Sequence, residues 1–277
     1  MISFISYIFV SLRTFLRIVL CMFWLFIMFI FFMFTKIFRI PLSKSVPRYF
    51  HKGFLKLLNI NVQLIGKIKT HKPGLIISNH ASWLDISILS SLDNISFISK
   101  LEVSSWPLFG YLARLQDTLF IERKVIKTGL QNKQIKNILD NGKRLVLFPE
   151  GTSSDGNRVL DFKSSLFSIV DSSENVDSYL IQSITICYKK INGLPISRSE
   201  RPFISWWGEM GLMGHLFNII KLGRVDITVV AHEPIKNIKN RKIVSKIAWK
   251  QIAYGLSLSL SGFPRSLKID EPIFKLL

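Results

Sequence analysis

Short apolar runs rich in β-branched residues alternate with segments of helical periodicity along most of the chain. The apolar runs, which predict buried strands, lie at residues 61–65, 75–78, 95–99, 145–148, 181–188 and 225–230. The segments with helical spacing lie at residues 82–92, 102–115, 124–141, 162–171, 207–221 and 240–258. This alternation predicts an α/β domain with a mostly parallel central sheet that is flanked by helices.

The N-terminal pattern is different. Residues 18–35 are 18 consecutive residues without a charge, and basic residues stand on both sides of them. This length is near the lower limit for spanning a hydrocarbon core of about 30 Å. Because residues 1–12 are also apolar, we expect either an N-terminal membrane helix or a helical hairpin, which spans the membrane or stays in one leaflet. The long apolar core without a small-residue cleavage pattern favours an uncleaved anchor over a signal peptide.

These patterns predict how the chain is divided. We expect the anchor to occupy residues 1–40 and one globular domain to occupy residues 41–277, since no internal repeat or linker divides the latter. Residues 41–58 combine apolar and basic side chains at helical spacing. They predict an amphipathic helix that lies on a membrane surface or packs against the core.

Composition and charge narrow the function classes. The apolar share is 48%, and the net charge is +19, from 37 Lys and Arg against 18 Asp and Glu. Such a charge suits anionic lipid headgroups and nucleic acid equally well. The apolar N-terminus favours an anionic membrane surface, and no nucleic-acid partner is expected. Two cysteines and scattered histidines lack the spacing of a disulfide framework or a metal site.

The first candidate for chemistry follows the run at residues 75–78. His80 lies where that strand should end, and its imidazole can accept a proton from a hydroxyl. Asp85 would lie about 140° away on an ideal helix. We therefore expect His80 to precede the helix and Asp85 to lie in its first turn, where Ser82 and Asp85 also fit a capping box. Ser82 as the nucleophile of a hydrolase is an alternative, although it lacks the Gly-x-Ser-x-Gly turn.

Two further segments add polar groups. Glu150, Gly151 and Thr152 follow the run at residues 145–148, and the ends of parallel strands converge, so this segment should meet His80. Glu150 can accept hydrogen bonds from ligand hydroxyls, Gly151 allows close backbone approach, and Thr152 offers a hydroxyl and an N–H. Arg123 carries a guanidinium that can bind a phosphate through two hydrogen bonds.

In this order the segments resemble the glycerolipid acyltransferase family with the His-x-x-x-x-Asp motif, whose bacterial members acylate lysophosphatidate. The resemblance covers roughly residues 60 to 235 and rests on Asn79-His80 with Asp85, Lys100-Leu101-Glu102, Trp106-Pro107-Leu108-Phe109-Gly110, Phe120-Ile121-Glu122-Arg123 and Phe148-Pro149-Glu150-Gly151-Thr152. It implies that His80 is the general base and Asp85 its orienting carboxylate. It also implies that the acceptor's glycerol phosphate is bound by Arg123, Glu150, Gly151 and Thr152.

The same resemblance implies a lysophospholipid acceptor and an acyl-CoA or acyl carrier protein thioester as donor. It implies no metal, no cofactor and no acyl-enzyme. The expected protein is a 1-acylglycerol-3-phosphate O-acyltransferase of phospholipid biosynthesis. Its expected location is the bacterial inner membrane, with the catalytic domain facing the cytosol.

The sequence departs from the family pattern at two positions. Ser153 stands where the third motif usually has Arg or Lys, and Arg158 or Lys163 could supply the missing charge. Ser183 stands where the fourth motif has Pro. The residues after Thr152 are also similar to acyltransferases that make ornithine lipid from its lyso form, so a lyso-ornithine lipid O-acyltransferase is the alternative. A basic, membrane-anchored protein that binds anionic lipid or nucleic acid is the alternative from a different class.

Overall fold

The structure, a computed structural model, describes residues 2–70, 72–122, 128–172, 179–236, 238 and 240–261. Within these ranges the strands are β1 (Ile60–Ile65), β2 (Gly74–Ser78), β3 (Ser96–Lys100), β4 (Leu119–Ile121), β5 (Arg144–Leu147), β6 (Leu180–Ile191), β7 (Leu194–Pro195) and β8 (Val225–Ala231). The helices are α1 (Ile2–Ile37), α2 (Val46–Leu57), α3 (Leu84–Leu92), α4 (Phe109–Leu115), α5 (Thr128–Asp140), α6 (Ser168–Ser172), α7 (Arg201–Ile204), α8 (Leu212–Lys221) and α9 (Arg241–Ser261). Short 3-10 helices lie at Pro41–Lys44, Leu101–Ser105 and Ser164–Phe167.

The strands form one mixed sheet in the order β1-β8-β6-β2-β5-β3-β4, and β7 pairs with β6. From β6 to β4 every neighbouring pair in this order is parallel. β8 runs antiparallel to β6, and β1 runs parallel to β8. The mostly parallel sheet predicted from the sequence is therefore confirmed. The carboxyl ends of β2, β4 and β5, which carry the three motifs, lie at the same edge of the sheet.

Two hydrophobic cores cover the two faces of the sheet. One contains Leu55 of α2, Ile88 of α3 and Ile219 of α8. The other contains Leu139 of α5 and Ile252 of α9. Because β2 lies between them, all five of its residues are buried, which explains its unbroken apolar run.

The predicted helix at residues 102–115 is interrupted. A 3-10 helix at Leu101–Ser105 is followed by α4, which begins only at Phe109. Pro107 has no backbone N–H, and Leu108 has a positive φ of 61°, so an α-helix cannot continue through these residues. The elements β4, β7 and α7 were not predicted, because two to four residues are too few to show a period.

The N-terminal segment is one helix and not a hairpin. α1 has 36 residues, which corresponds to a length of about 54 Å at 1.5 Å per residue. Residues Tyr7–Ile37 are long and apolar enough to cross a membrane by length and composition. The structure thus gives the single-helix form of the expected anchor.

One face of α1 packs against the globular domain. The Arg17 guanidinium donates hydrogen bonds to the carbonyl oxygens of Ile220, at 3.0 Å, and Leu222, at the C-terminal end of α8. The Trp24 indole N–H donates to the Phe50 carbonyl of α2 at 2.9 Å. Buried positions recur along this face: Thr14, Arg17, Met28, Phe32 and Thr35. The opposite face exposes large apolar side chains: Phe15, Val19, Met22, Phe23, Phe26, Ile30, Phe34 and Ile37.

The amphipathic segment at residues 41–58 consists of a 3-10 helix and α2. Of the two arrangements considered, packing against the core is what the structure shows, because His51 and Leu55 are buried. The His51 ring lies 3.2 Å from the Ser87 hydroxyl of α3 and 3.2 Å from the Gln116 side-chain oxygen. Burial lowers the pKa of His51 to about 4, so this histidine is a neutral part of the core.

Candidate active site

The loop between β2 and α3 folds around the carboxylate of Asp85, which is fully buried in the first turn of α3. Its Oδ2 lies 2.9 Å from His80 Nδ1 and accepts the backbone N–H groups of Ala81, at 2.7 Å, and Ser82, at 2.9 Å. Its Oδ1 accepts the Tyr188 hydroxyl at 2.7 Å. The structure therefore brings His80 and Asp85 together in the arrangement that the five-residue spacing predicts.

The His80 ring is held so that only one nitrogen is available to a substrate. Nδ1 faces the Asp85 carboxylate, which favours the tautomer with its proton on Nδ1 and leaves the lone pair on Nε2. The ring stacks on Phe148, with centroids 4.2 Å apart and planes 20° apart. The His80 side chain is 18% exposed. Nε2 therefore keeps a lone pair that can accept a proton from a hydroxyl.

Ser82 does not fit the hydrolase alternative. Its side chain is fully buried and is hydrogen-bonded to Tyr188. A hydroxyl in this position cannot be reached by an acyl carbon, so the structure offers no exposed serine nucleophile at this loop. Its backbone N–H instead binds Asp85, as expected for the N-terminus of a helix.

Glu150 is bonded to the protein backbone. The sequence had led us to expect that it binds ligand hydroxyls. It is 2% exposed. Oε1 accepts the backbone N–H of His80 at 2.8 Å, and Oε2 accepts that of Leu160 at 2.9 Å. Burial raises the pKa of Glu150 to about 8, although both N–H groups act to lower it. The Glu150 carboxyl group therefore links the third motif to the His80 loop through hydrogen bonds.

The rest of the third motif lies at the edge of the site. Gly151 has a φ of 70°, and the Lys163 ammonium lies 3.1 Å from the position that a Cβ on Gly151 would occupy. Thr152 is exposed. Ser154 is buried and donates its N–H to the His80 carbonyl at 2.8 Å. Of the two cations expected to replace the missing basic residue, Lys163 is therefore placed beside the motif, while Arg158 is exposed on the following loop.

Arg123, expected to bind a phosphate, lies outside the described residues. The strand that precedes it, β4, pairs in parallel with β3 up to Ile121.

A later segment closes the site from another side. The backbone N–H of Trp206 donates to the Ala81 carbonyl at 2.8 Å. Its ring meets Trp106 edge to face, with centroids 6.1 Å apart. The Trp83 indole N–H donates to His215 Nδ1 at 2.9 Å. The segment that carries Trp206 thus contacts the His80 loop through its backbone, and Trp83, at the end of that loop, is bonded to His215 of α8.

Tyr188 is the site residue that sequence reasoning missed. It lies in β6 within a run that predicts a buried strand, and a tyrosine in such a run reads as a core residue. Its partner Asp85 is 103 residues away, and periodicity carries no signal for a contact at that separation. Across the described part of the chain, no group of three or more His, Cys, Asp or Glu side chains could hold a metal ion.

Several known proteins are similar to this chain in sequence or in fold. The family model described as Acyltransferase matches residues 59–189. The lyso-ornithine lipid O-acyltransferase of Rhizobium meliloti is 39% identical over 233 residues, which cover 82% of this chain and 80% of that protein. That of Brucella abortus is 40% identical over 197 residues, 70% of this chain and 74% of that protein.

More distant relatives carry another name. The 1-acyl-sn-glycerol-3-phosphate acyltransferase of Neisseria gonorrhoeae is 30% identical over 182 residues, 64% of this chain and 67% of that protein. The crystal structure of the 1-acyl-sn-glycerophosphate acyltransferase of Thermotoga maritima superposes with a TM-score of 0.60 at 20% identity, covering 91% of this chain and 99% of that one. This similarity shows the fold. The relatives of 39% and 40% identity, which align along most of the chain, show that the protein belongs to the acyltransferase family with the His-x-x-x-x-Asp motif.

Proposed function

We propose that this protein is a lyso-ornithine lipid O-acyltransferase, which moves a fatty acyl chain from an acyl thioester to the free hydroxyl of lyso-ornithine lipid. The observation that carries the proposal is the degree of similarity. Two relatives with this name are 39% and 40% identical over 82% and 70% of the chain, against 30% over 64% of the chain for the lysophosphatidate acyltransferase of Neisseria gonorrhoeae. This reverses the order of preference that the motifs alone suggested.

The third motif supports the same acceptor. A phosphate group is best held by several fixed cationic donors. Here Ser153 and Ser154 replace the basic residue that usually follows the motif, and Ser154 is turned inward to the His80 carbonyl. Among the described residues, the exposed Lys163 ammonium lies beside Gly151. This point charge can pair with a carboxylate such as that of ornithine.

The mechanism follows from the position of His80. Nε2 takes the proton of the acceptor hydroxyl as that oxygen attacks the thioester carbonyl, and Asp85 stabilises the imidazolium that results. The tetrahedral intermediate then expels the thiolate, which receives the proton from His80. General-base assistance of this kind contributes roughly 10²- to 10⁴-fold. We propose acyl-CoA or an acyl carrier protein as the donor, with no metal or cofactor.

A lysophosphatidate acyltransferase is the second candidate. It is favoured by the motifs that the chain shares with that branch, including the Phe-Pro-Glu-Gly-Thr segment at residues 148–152. Both candidates use the same reaction and the same general base, so only the acceptor distinguishes them.

The membrane arrangement is also a proposal. The buried face of α1 between Thr14 and Thr35 extends over about 32 Å at 1.5 Å per residue. A perpendicular crossing of the bilayer by this stretch would draw the attached domain into the hydrocarbon. We therefore propose that α1 lies in one leaflet of the bacterial inner membrane, with its outer face in lipid and the catalytic domain on the cytosolic side. α8, which packs against α1, also exposes Met213 and Phe217.

The test uses membranes that carry the wild-type chain or His80→Ala. A labelled long-chain acyl thioester is offered with lyso-ornithine lipid and with lysophosphatidate separately. We expect product from lyso-ornithine lipid at a rate at least about tenfold above that from lysophosphatidate. In His80→Ala we expect a loss of roughly 10²-fold or more with unchanged membrane content.

Three other outcomes of this assay would contradict parts of the proposal. A preference for lysophosphatidate would replace the acceptor by the second candidate. An active His80→Ala variant would contradict the general-base mechanism. If neither acceptor gives product, the basic, lipid-binding alternative is favoured.

A further inference from the structure

We propose that Tyr188 is a positioning residue for this reaction, whose buried hydroxyl fixes the Asp85 carboxylate and, through it, the orientation of His80. The inference rests on the proposed acyl transfer, because it concerns the same general base. Tyr188 itself does not touch the reacting atoms. It acts on them only through Asp85.

The first support is the distribution of hydrogen bonds on Asp85. Oδ2 faces His80 Nδ1 and the N–H groups of Ala81 and Ser82. Among the described residues, Oδ1 is bonded to the Tyr188 hydroxyl, at 2.7 Å. With a donor on each oxygen, the plane of the carboxylate is fixed. A carboxylate held on Oδ2 alone could rotate and lose its alignment with the imidazole.

The second support is the way in which β6 is tied to the His80 loop. Asn79 donates its side-chain N–H to the Ile186 carbonyl at 2.9 Å and accepts the Ile186 N–H at 2.8 Å. This pair of bonds prolongs the ladder of β2 and β6 beyond Ser78, where the backbone pairing ends. Residue 186 is two positions before Tyr188, so both side chains lie on the same face of β6. The loop that carries His80 and the strand that carries Tyr188 are therefore held in register.

The third support is an irregularity in β6. The pairing of β6 with β8 shifts register between Tyr188 and Lys190. Such bulges are common next to active sites, where they change the direction of a side chain. Here the shift lies immediately after the residue whose hydroxyl reaches Asp85.

The surroundings of Tyr188 and Asp85 keep the Tyr188 hydroxyl protonated, so that it donates a hydrogen bond to Asp85. Tyr188 is fully buried, and burial together with the nearby Asp85 carboxylate raises the pKa of its hydroxyl well above the usual value of 10.0. In the part of the chain that the structure describes, the titratable groups that face Asp85 are His80 from the loop, Tyr188 from β6 and Glu150 from the third motif. Tyr188 therefore stays protonated and remains a hydrogen-bond donor to Asp85.

The decisive variant is Tyr188→Phe, which keeps the ring and removes only the hydroxyl. A hydrogen bond to a buried charge is lost, so we expect kcat to fall about 10- to 100-fold, while KM for both substrates changes less than about threefold. Without the Tyr188 donor the carboxylate is free to rotate, and its alignment with the imidazole is lost. The pH profile of kcat/KM should therefore shift from that of the wild type.

A matched control is Tyr179→Phe. The Tyr179 hydroxyl also bonds to a carboxylate, that of Asp140, but at the beginning of β6 and on the side of α5. We expect this control to keep the wild-type kcat and pH profile. Thermal unfolding of both variants separates a loss of stability from a loss of rate. A Tyr188→Phe variant with wild-type kcat and pH profile would overturn the proposal, as would a loss of rate that merely follows the folded fraction.

A second readout does not depend on acyl transfer. NMR spectra of ¹⁵N-histidine-labelled protein report the tautomer and titration midpoint of His80, whose signals are assigned by their absence in His80→Ala. We expect Tyr188→Phe to shift these signals and Tyr179→Phe to leave them in place. Unchanged His80 signals in Tyr188→Phe would contradict the inference, whatever the acyl-transfer activity of this variant is. If neither lysolipid is acylated but the signals shift, the proposed function fails and the positioning of His80 by Tyr188 stands.

Discussion

At the scale of single residues, the Asp85 carboxylate links the stability of the fold to the chemistry of the site. It binds two backbone N–H groups at the start of α3 and at the same time faces His80. An anion at a helix N-terminus is stabilised by the unpaired N–H groups there. The residue that orients the base thus also holds the loop before α3 to the first turn of that helix.

Glu150 gives a prediction about pH. The pKa of its carboxyl is raised by burial from 4.5 to about 8. The folded protein therefore binds a proton that the unfolded chain releases, and the stability from this group is complete below pH 4.5 and is lost as the pH rises through 8. The slope is at most about 1.4 kcal/mol per pH unit.

Glu150→Gln removes this proton and also one of the two acceptors for the N–H groups of His80 and Leu160. We expect the variant to be less stable than wild type at pH 5, and the difference in unfolding free energy to shrink as the pH approaches 8. Chemical denaturation at several pH values measures it. A difference that grows with pH would show that Glu150 is ionised in the folded protein.

The sequence predicted the residues of the site better than their partners. The spacing of His80 and Asp85 requires a loop followed by a helix, and this is what the structure has. Glu150 was expected to face a ligand, because a sequence shows that a carboxylate follows a strand but not which N–H groups the neighbouring loops bring to it. The role of Tyr188 could not be predicted for the same reason, because its partner Asp85 is distant in the sequence.

At the scale of elements, the strands were predicted well because a parallel sheet buried on both faces produces unbroken apolar runs. Helices were less certain where local backbone chemistry overrides periodicity. The segment at residues 102–115 has helical spacing, yet Pro107 and the positive φ of Leu108 divide it. Apolar spacing cannot report a φ value, and the position of Pro107 was the available signal.

The packing of α9 on β6 gives a prediction at this scale. A Cβ on Gly255 would lie 2.6 Å from Thr185 Oγ1 and 2.8 Å from the His232 ring. The Thr185 hydroxyl is already bonded to His232 and to the Ile252 carbonyl, so neither side chain can move freely. Gly255→Ala should therefore destabilise the protein by about 1–3 kcal/mol.

Gly214 of α8 is the matched control, since a Cβ there meets nothing within 4 Å. Gly214→Ala should be neutral or stabilise by up to about 1 kcal/mol. Urea denaturation of both variants compares them. Equal effects of the two substitutions would show that α9 does not approach β6 as closely as described.

At the scale of the whole molecule, the outer face of α1 provides a test of the membrane arrangement. Phe23 and Phe26 are 60% and 62% exposed. Burying one such side chain in an apolar environment contributes about 1.5–3 kcal/mol. The double variant Phe23→Glu, Phe26→Glu should therefore bind phospholipid vesicles at least about tenfold more weakly than wild type, with an unchanged unfolding midpoint in detergent.

The control places the same charges on the other side of the sheet. Ile243 and Tyr254 of α9 are 50% and 43% exposed. We expect Ile243→Glu, Tyr254→Glu to keep wild-type vesicle binding in a flotation assay. Similar losses in both double variants would mean that vesicle binding does not depend on α1.

The docking of α1 also bears on how the protein is made. α1 leaves the ribosome long before α8, but the carbonyl groups that Arg17 binds belong to residues 220 and 222. Chains grow at roughly 5–20 residues per second, so about ten seconds or more pass before these partners exist. During that time the apolar side chains of α1 need a lipid or chaperone environment. If α1 lies in the bilayer as proposed, the nascent chain reaches the membrane before the domain is complete, and α8 packs against a helix that is already in lipid.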